Sequence, residues 1–304
     1  MKKLNTTLVF ILALAVLTAC SVNEPSSPSS PSKASSQEVP MTNQDKSITA
    51  SSNLVSEAYN VSYGDKTLSG IITAPENYKD GHFPTIVLSH GFNNTYEQFE
   101  DYAQHLASLG YVVYRFDFYG GSLQSKSGGQ DMLDMSVATE LEDLTQVVSH
   151  LSKEAYIDPE NISLAGASQG GVVSSLYASR NPAKVKKLLL IFPAYVLFDD
   201  VRETAESYGD SLPDVIIHRN ARLGSRYLTD ALAIDWKEEA GKIKAKTLIV
   251  HGTDDNVVPY RYAQEAVELI PNAELVTVQG GGHWISDDFN QVAYPAIDAF
   301  LKED

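Results

Sequence analysis

Cysteine is almost missing from this sequence: Cys20 stands alone among 304 residues, so the chain has no internal disulfide framework to hold a fold. Basic residues are also scarce, 23 Lys and Arg against 39 Asp and Glu, for a formal net charge of −16. Nucleic-acid binding draws most of its affinity from cationic side chains on phosphates, so this balance argues against that class of function. The acidity is diffuse and speaks for solubility rather than for a partner. No apolar run reaches the ~20 residues that a membrane-crossing helix needs. No segment recurs at a fixed period either, which removes solenoids and propellers. What is there, 43% hydrophobic and 20% charged residues, is the composition of an ordinary globular protein. The length suffices for one large α/β domain or two small ones.

The first residues follow a different logic. Lys2 and Lys3 precede an apolar stretch, Leu8 to Leu17, that meets Leu17-Thr18-Ala19-Cys20, the layout of a secretory signal ending in small residues. This tetrapeptide resembles the lipobox of bacterial lipoproteins. The resemblance implies that residues 1–19 are removed and that Cys20 becomes the lipidated first residue. Ser21 to about Ser52 is rich in Ser, Pro, Asn and Gln and has too little apolar surface to offset its ordering entropy, so residues 20–52 read as a lipidated, flexible tether. The expectation is an exported lipoprotein, anchored to a membrane at the bacterial cell surface or envelope, with its globular part in residues 53–304.

That part reads as alternating strands and helices. Val55 to Tyr63 and Thr67 to Thr73, joined through Gly64-Asp65, suggest an antiparallel hairpin. Apolar runs follow at Thr85 to Leu88, Tyr111 to Phe116, Ile162 to Ala165, Lys187 to Ile191, Thr247 to Val250 and Leu275 to Val278, the pattern of buried parallel strands. Helical segments lie between them at Tyr96 to Leu109, Ser136 to Leu151, Gly170 to Arg180, Tyr260 to Leu269 and Asp288 to Leu301. The implied fold class is α/β, a mostly parallel central sheet with helices on both faces. About 193–241 is too long for a simple crossover, carries Tyr195, Phe198, Tyr208, Tyr227 and Trp236, and reads as a small inserted cap over the carboxyl ends of the strands.

The chemistry concentrates at Gly166-Ala167-Ser168-Gln169-Gly170, where a strand turns into a helix. In a G-x-S-x-G elbow the residues two before and two after the serine nearly touch neighbouring backbone, so both must be glycine, and the serine oxygen is pushed into a crevice. Serine needs a base, and histidine is the side chain best tuned for that near neutral pH. His283, in Gly280-Gly281-Gly282-His283-Trp284 after the last strand, is the candidate; His82, His105, His150 and His218 read as surface or helix residues. The carboxylate that orients the base is sought in His251-Gly252-Thr253-Asp254-Asp255, with Asp255 chosen and Asp254 left to shape the turn. Oxyanion donors are expected from the backbone N–H groups of Gln169 and Phe92, the latter in the loop Ser89-His90-Gly91-Phe92. His90 is read as a structural hydrogen-bonding residue.

Four ordered motifs thus stand in the chain: His90-Gly91-Phe92, Arg115-Phe116-Asp117-Phe118, Gly166 to Gly171, and His251 to Asp255 followed by His283. Together they resemble the α/β-hydrolases over about Val55 to Leu301, and within them the bacterial cinnamoyl and feruloyl esterases. The resemblance implies a serine carboxylester hydrolase for small or aromatic acyl esters, needing no metal or organic cofactor, with Asp200 and Tyr227 of the cap placed to contact a phenolic ring. The family's usual Gly-His-Gly-Asp-Ser loop is replaced here by Gly120-Gly121-Ser122-Leu123. Two other readings stay open. His251-Gly252-Thr253-Asp254-Asp255-Asn256-Val257 also resembles serine peptidases of the prolyl oligopeptidase type, which usually add a large further domain. A surface-binding lipoprotein on a scaffold without chemistry is the third class, which a complete nucleophile, acid and base argue against.

Overall fold

Short runs of Val, Ile and Leu without polar alternation can be buried on both faces only in a sheet that helices cover on each side. The computed structural model describes residues 53–303 apart from 130 and 210. The expected signal, Cys20 and the tether lie outside the described residues. The strands are β1 (Leu54–Ala58), β2 (Val61–Tyr63), β3 (Lys66–Leu68), β4 (Gly70–Pro75), β5 (Phe83–Ser89), β6 (Val112–Phe116), β7 (Ile157–Ala167), β8 (Lys187–Ile191), β9 (Val215–His218), β10 (Ala221–Gly224), β11 (Lys246–Gly252) and β12 (Ala273–Val278). The α-helices are α1 (Glu100–Ser108), α2 (Val137–Leu151), α3 (Gln169–Arg180), α4 (Leu197–Tyr208), α5 (Arg226–Leu232), α6 (Trp236–Lys242), α7 (Arg261–Leu269) and α8 (Asp287–Lys302).

Eight strands form one sheet in the order β1-β4-β6-β5-β7-β8-β11-β12. The run from β6 to β12 is parallel throughout, and β4 and β1 add antiparallel at one edge. The predicted opening hairpin is present: β2 pairs with β3, and β1 with β4 in continuous register, with Gly64 at φ +54 in the two-residue turn where a type II′ hairpin demands a positive angle. Alternate side chains of each central strand enter opposite cores. Val87, Leu164, Leu188 and Leu190 face one cluster with α2 and α3, whereas Ile86, Leu88, Ala165, Leu189 and Ile191 face another with α1 and α8. Ser136 caps α2 in a capping box with Thr139, so the helix begins where the apolar spacing predicts.

Between β8 and β11 the chain builds α4, the β9–β10 hairpin, α5 and α6. α4 packs on α5, and α5 reaches α2; α6 packs on α3 and α7. No helix among the described residues is long and apolar enough to cross a membrane.

Candidate active site

The strand β7 and the helix α3 meet at Ser168, which takes φ 53 and ψ −121. A non-glycine residue in that region is strained and persists only where its surroundings fix it. Here Ser168 N–H donates to Ile191 O at 3.0 Å and Ser168 O accepts from Ala194 N–H at 3.0 Å. The two flanking glycines are obligatory for a steric reason. A Cβ at Gly166 would stand 2.3 Å from Gly170 O, and one at Gly170 would stand 2.1 Å from Ser89 O.

His283 reaches this serine from the loop after β12. Ser168 Oγ lies 3.1 Å from His283 Nε2, and His283 Nδ1 lies 2.7 Å from Asp255 Oδ2. A carboxylate facing Nδ1 accepts a hydrogen bond from its N–H and so keeps the proton on that nitrogen, which leaves Nε2 as the acceptor for the serine hydroxyl. The loops carrying His283 and Asp255 are strapped together, because Asp254 N–H donates to Gly281 O at 2.9 Å and Gly280 N–H to Thr253 Oγ1 at 2.8 Å. Asp255 is buried and Asp254 is exposed. Asp255 Oδ1 accepts from Val257 N–H at 2.9 Å and from Val258 N–H at 2.7 Å. Burial opposes ionisation of this carboxyl, but the donors from His251, His283 and Val258 outweigh it and hold it well below the usual carboxylate range.

The loop after β5 lies directly against the serine, since a Cβ on Gly91 would sit 3.3 Å from Ser168 Cβ. Among the described residues, neither Phe92 N–H nor Gln169 N–H donates to a carbonyl or a side chain, so both are available to an anion beside Ser168. His90 is buried; its Nδ1 faces Gly91 O at 2.8 Å and its Nε2 accepts from Phe118 N–H at 3.1 Å, which ties this loop to the end of β6. Burial pushes its pKa down, keeping the ring neutral.

A cavity of about 220 Å³ opens on Ser168 and His283. Phe92, Phe192, Tyr227 and Trp284 give it aromatic walls, and Asp200 of α4 with Arg219 supplies its charged lining. His218 lines it too, between Phe92 and Tyr227 at ring distances of 5.3 and 5.4 Å, so it is a cavity residue rather than the surface histidine the sequence suggests. Burial and the nearby Arg219 push its pKa down to about 4. Tyr227 presents its ring to the cavity, but its hydroxyl donates to Gln169 Oε1 at 2.9 Å.

Family models described as "Serine aminopeptidase, S33" and "TAP-like protein" match residues 81–210 and 230–304. The structure is similar to Est1E from Butyrivibrio proteoclasticus, solved with ferulic acid bound, at TM-score 0.71 and 25% identity over 81% of this chain and 98% of that one. The chain belongs to the α/β-hydrolase superfamily. Among sequence relatives, this hydrolase is 25% identical over 245 residues to the AB hydrolase superfamily protein YisY of Bacillus subtilis, covering 67% of this chain and 86% of that protein. It is also 25% identical over 234 residues to Lipase 1 of Psychrobacter immobilis, covering 65% of this chain and 70% of the lipase.

Two further side chains of the hydrolase make contacts that no sequence spacing signals. His251 is fully buried, and its Nε2 faces both Val258 O at 2.9 Å and Asp255 Oδ2 at 3.2 Å. Glu140, on the sheet-facing side of α2, accepts from Gln169 Nε2 at 2.8 Å. Burial, reinforced by Asp143, overrides that hydrogen bond and pushes the Glu140 pKa up to about 8. Between about pH 4.5 and 8 the folded protein therefore holds a proton here that the unfolded chain has lost, so this group's contribution to stability is complete below the lower value and disappears as pH rises through the upper one. Glu140→Gln is expected to flatten the loss of unfolding free energy between pH 5 and pH 8 by on the order of a few kcal/mol. Urea titrations of parent and variant across that range measure the difference; parallel pH profiles would show that the carboxyl is ionised throughout.

Proposed function

We propose that the protein is a serine carboxylester hydrolase that works through an acyl-enzyme on Ser168. The observation that carries this reading is the unbroken hydrogen-bonded line from Asp255 through His283 to Ser168 Oγ, ending beside two uncommitted backbone N–H groups. As Ser168 Oγ attacks the ester carbonyl, its proton passes to His283 Nε2, and the Asp255 carboxylate stabilises the imidazolium that results. The carbonyl oxygen gains charge against Phe92 and Gln169 N–H, each donor worth about 3–4 kcal/mol in such sites. The imidazolium then gives its proton to the departing alcohol oxygen. Water, deprotonated by His283, attacks the acyl carbon, and collapse returns the carboxylic acid and free Ser168.

For the acyl group the reading is a small or aromatic acid of the feruloyl and cinnamoyl kind. Its support is the aromatic cavity lining, the half-buried Asp200 on the wall, and the similarity to Est1E with ferulic acid. Rates for p-nitrophenyl esters from acetyl through butyryl to feruloyl test it: kcat/KM is expected to rise at the feruloyl member, and a steady fall with acyl size would reject an aromatic substrate. A peptidase is the second reading, favoured by the family model named for a serine aminopeptidase. Matched p-nitroanilides included in the same series decide between them, and the ester reading expects no amide turnover. The Leu17-Thr18-Ala19-Cys20 motif supports the further reading that the enzyme is exported and lipid-anchored.

A further inference from the structure

Gln169 offers its backbone to the reaction, but its side chain turns away from the substrate into a chain of buried polar groups. Tyr227, Gln169 and Glu140 are each at most 2% exposed. The Gln169 amide lies between the other two side chains. Its Oε1 accepts from the Tyr227 hydroxyl at 2.9 Å, and its Nε2 donates to Glu140 Oε2 at 2.8 Å, with Met135 Sδ at 3.7 Å from the same nitrogen. One end of this chain is therefore on the cap helix α5 and the other on the core helix α2. The two helices are also fastened directly, because Ser136 Oγ at the start of α2 donates to Asp230 Oδ2 of α5 at 2.5 Å.

The sequence around the elbow explains why such a tether matters. Ser168 is strained, and Gly170 and Gly171 have no side chains, so Gln169 is the only residue between Ser168 and Val172 whose side chain can anchor this turn. Its N–H stands at the first position of α3 and has no partner within the helix. A donor of this kind acts through its direction, and small misplacements near a reacting centre carry large costs.

We propose that Tyr227, Gln169 and Glu140 form a positioning relay in which the cap helix and the core helix together hold the Gln169 side chain and so aim its backbone N–H at the oxyanion. The inference rests on the assignment of Ser168 as the nucleophile. None of the three side chains touches the reacting atoms. Acyl groups that press on α5 consequently alter kcat as well as KM.

The test uses p-nitrophenyl acetate, the ester with the smallest acyl group of the series, with the full chain. Tyr227→Phe keeps the aromatic wall and removes only the hydrogen bond to Gln169. It is expected to lower kcat about tenfold with KM within about twofold, a part of the loss seen when such a donor is removed outright. Glu140→Leu is expected to lose a similar factor, and Glu140→Gln, which can still accept from Gln169 Nε2, to recover most of it. The double variant Tyr227→Phe/Glu140→Leu is expected to fall little below the worse single one, because both changes release the same amide. If the leucine variant does not fold, Tyr227→Phe alone decides. Parental kcat in Tyr227→Phe, or a raised KM with kcat unchanged, overturns the relay and makes Tyr227 an ordinary substrate contact. A parent that turns over no ester overturns the assignment of Ser168, and the relay with it.

Discussion

Replacing His283 with alanine is expected to lower kcat for p-nitrophenyl acetate by about 10⁴-fold or more while the protein still folds cooperatively. Among the described residues the side chain is the sole bridge between Ser168 Oγ and Asp255, at 3.1 and 2.7 Å, and no other side chain there is paired with the serine hydroxyl to take its proton. It sits in a loop, in contact with the Phe192 ring at 4.5 Å, so its loss opens the cavity rather than the core. His251 cannot take over. It also touches Asp255, but it is fully buried, with Nε2 turned to Val258 O and away from solvent. Steady-state kinetics with circular dichroism of the same samples measure both parts. A variant that keeps activity within tenfold of the parent would require a different base.

Gly170→Ala is expected to be nearly as severe, through folding rather than chemistry. Its Cβ would meet Ser89 O at 2.1 Å and His90 O at 2.4 Å, and both are backbone atoms that no rotamer change can move aside. Relief demands displacement of the end of β5 and of the loop that carries Phe92, so both stability and the oxyanion site suffer. A destabilisation above about 4 kcal/mol is expected, at the extreme of single substitutions, with little soluble protein recovered. Gly280→Ala is the control. Nothing lies within 4 Å of a Cβ there, and only its φ of +72 opposes the change, worth about 1–2 kcal/mol. Urea unfolding of the two variants separates close approach from backbone conformation; equal losses would mean that the tight contact at Gly170 can relax.

Much of this was legible in the chain because chemistry and sterics leave marks at fixed spacing. The buried strands show as unbroken apolar runs, and the predicted Lys187 to Ile191 coincides with β8 residue for residue. The elbow announces itself through glycines at 166 and 170 because two backbone segments cross there, and Asp255 and His283 follow in the order that the topology imposes. The hairpin between α4 and α5 left no such mark. Its turn, Arg219-Asn220, holds φ of +46 and +66 without the glycine that normally signals a tight hairpin, so the sequence does not mark β9 and β10 or bring His218 toward the site. Glu140 was hidden for the opposite reason. Helical periodicity places apolar residues inside and is silent about a carboxyl on the same face, whose partner, Gln169, lies 29 positions away. His251 stands within the His251 to Asp255 motif, yet nothing in spacing tells that its ring turns inward to share Asp255 with His283.

The convergence of Ser168, His283 and Asp255 can be read by covalent labelling. A fluorophosphonate reacts only with a serine oxygen whose proton is being withdrawn, with fluoride leaving as the oxygen–phosphorus bond forms. Digestion and mass spectrometry of the labelled full chain are expected to find one adduct, on the peptide carrying Ser168, absent in Ser168→Ala and strongly slowed in His283→Ala. An adduct on any other serine, or an unlabelled chain that is folded, would contradict the assignment.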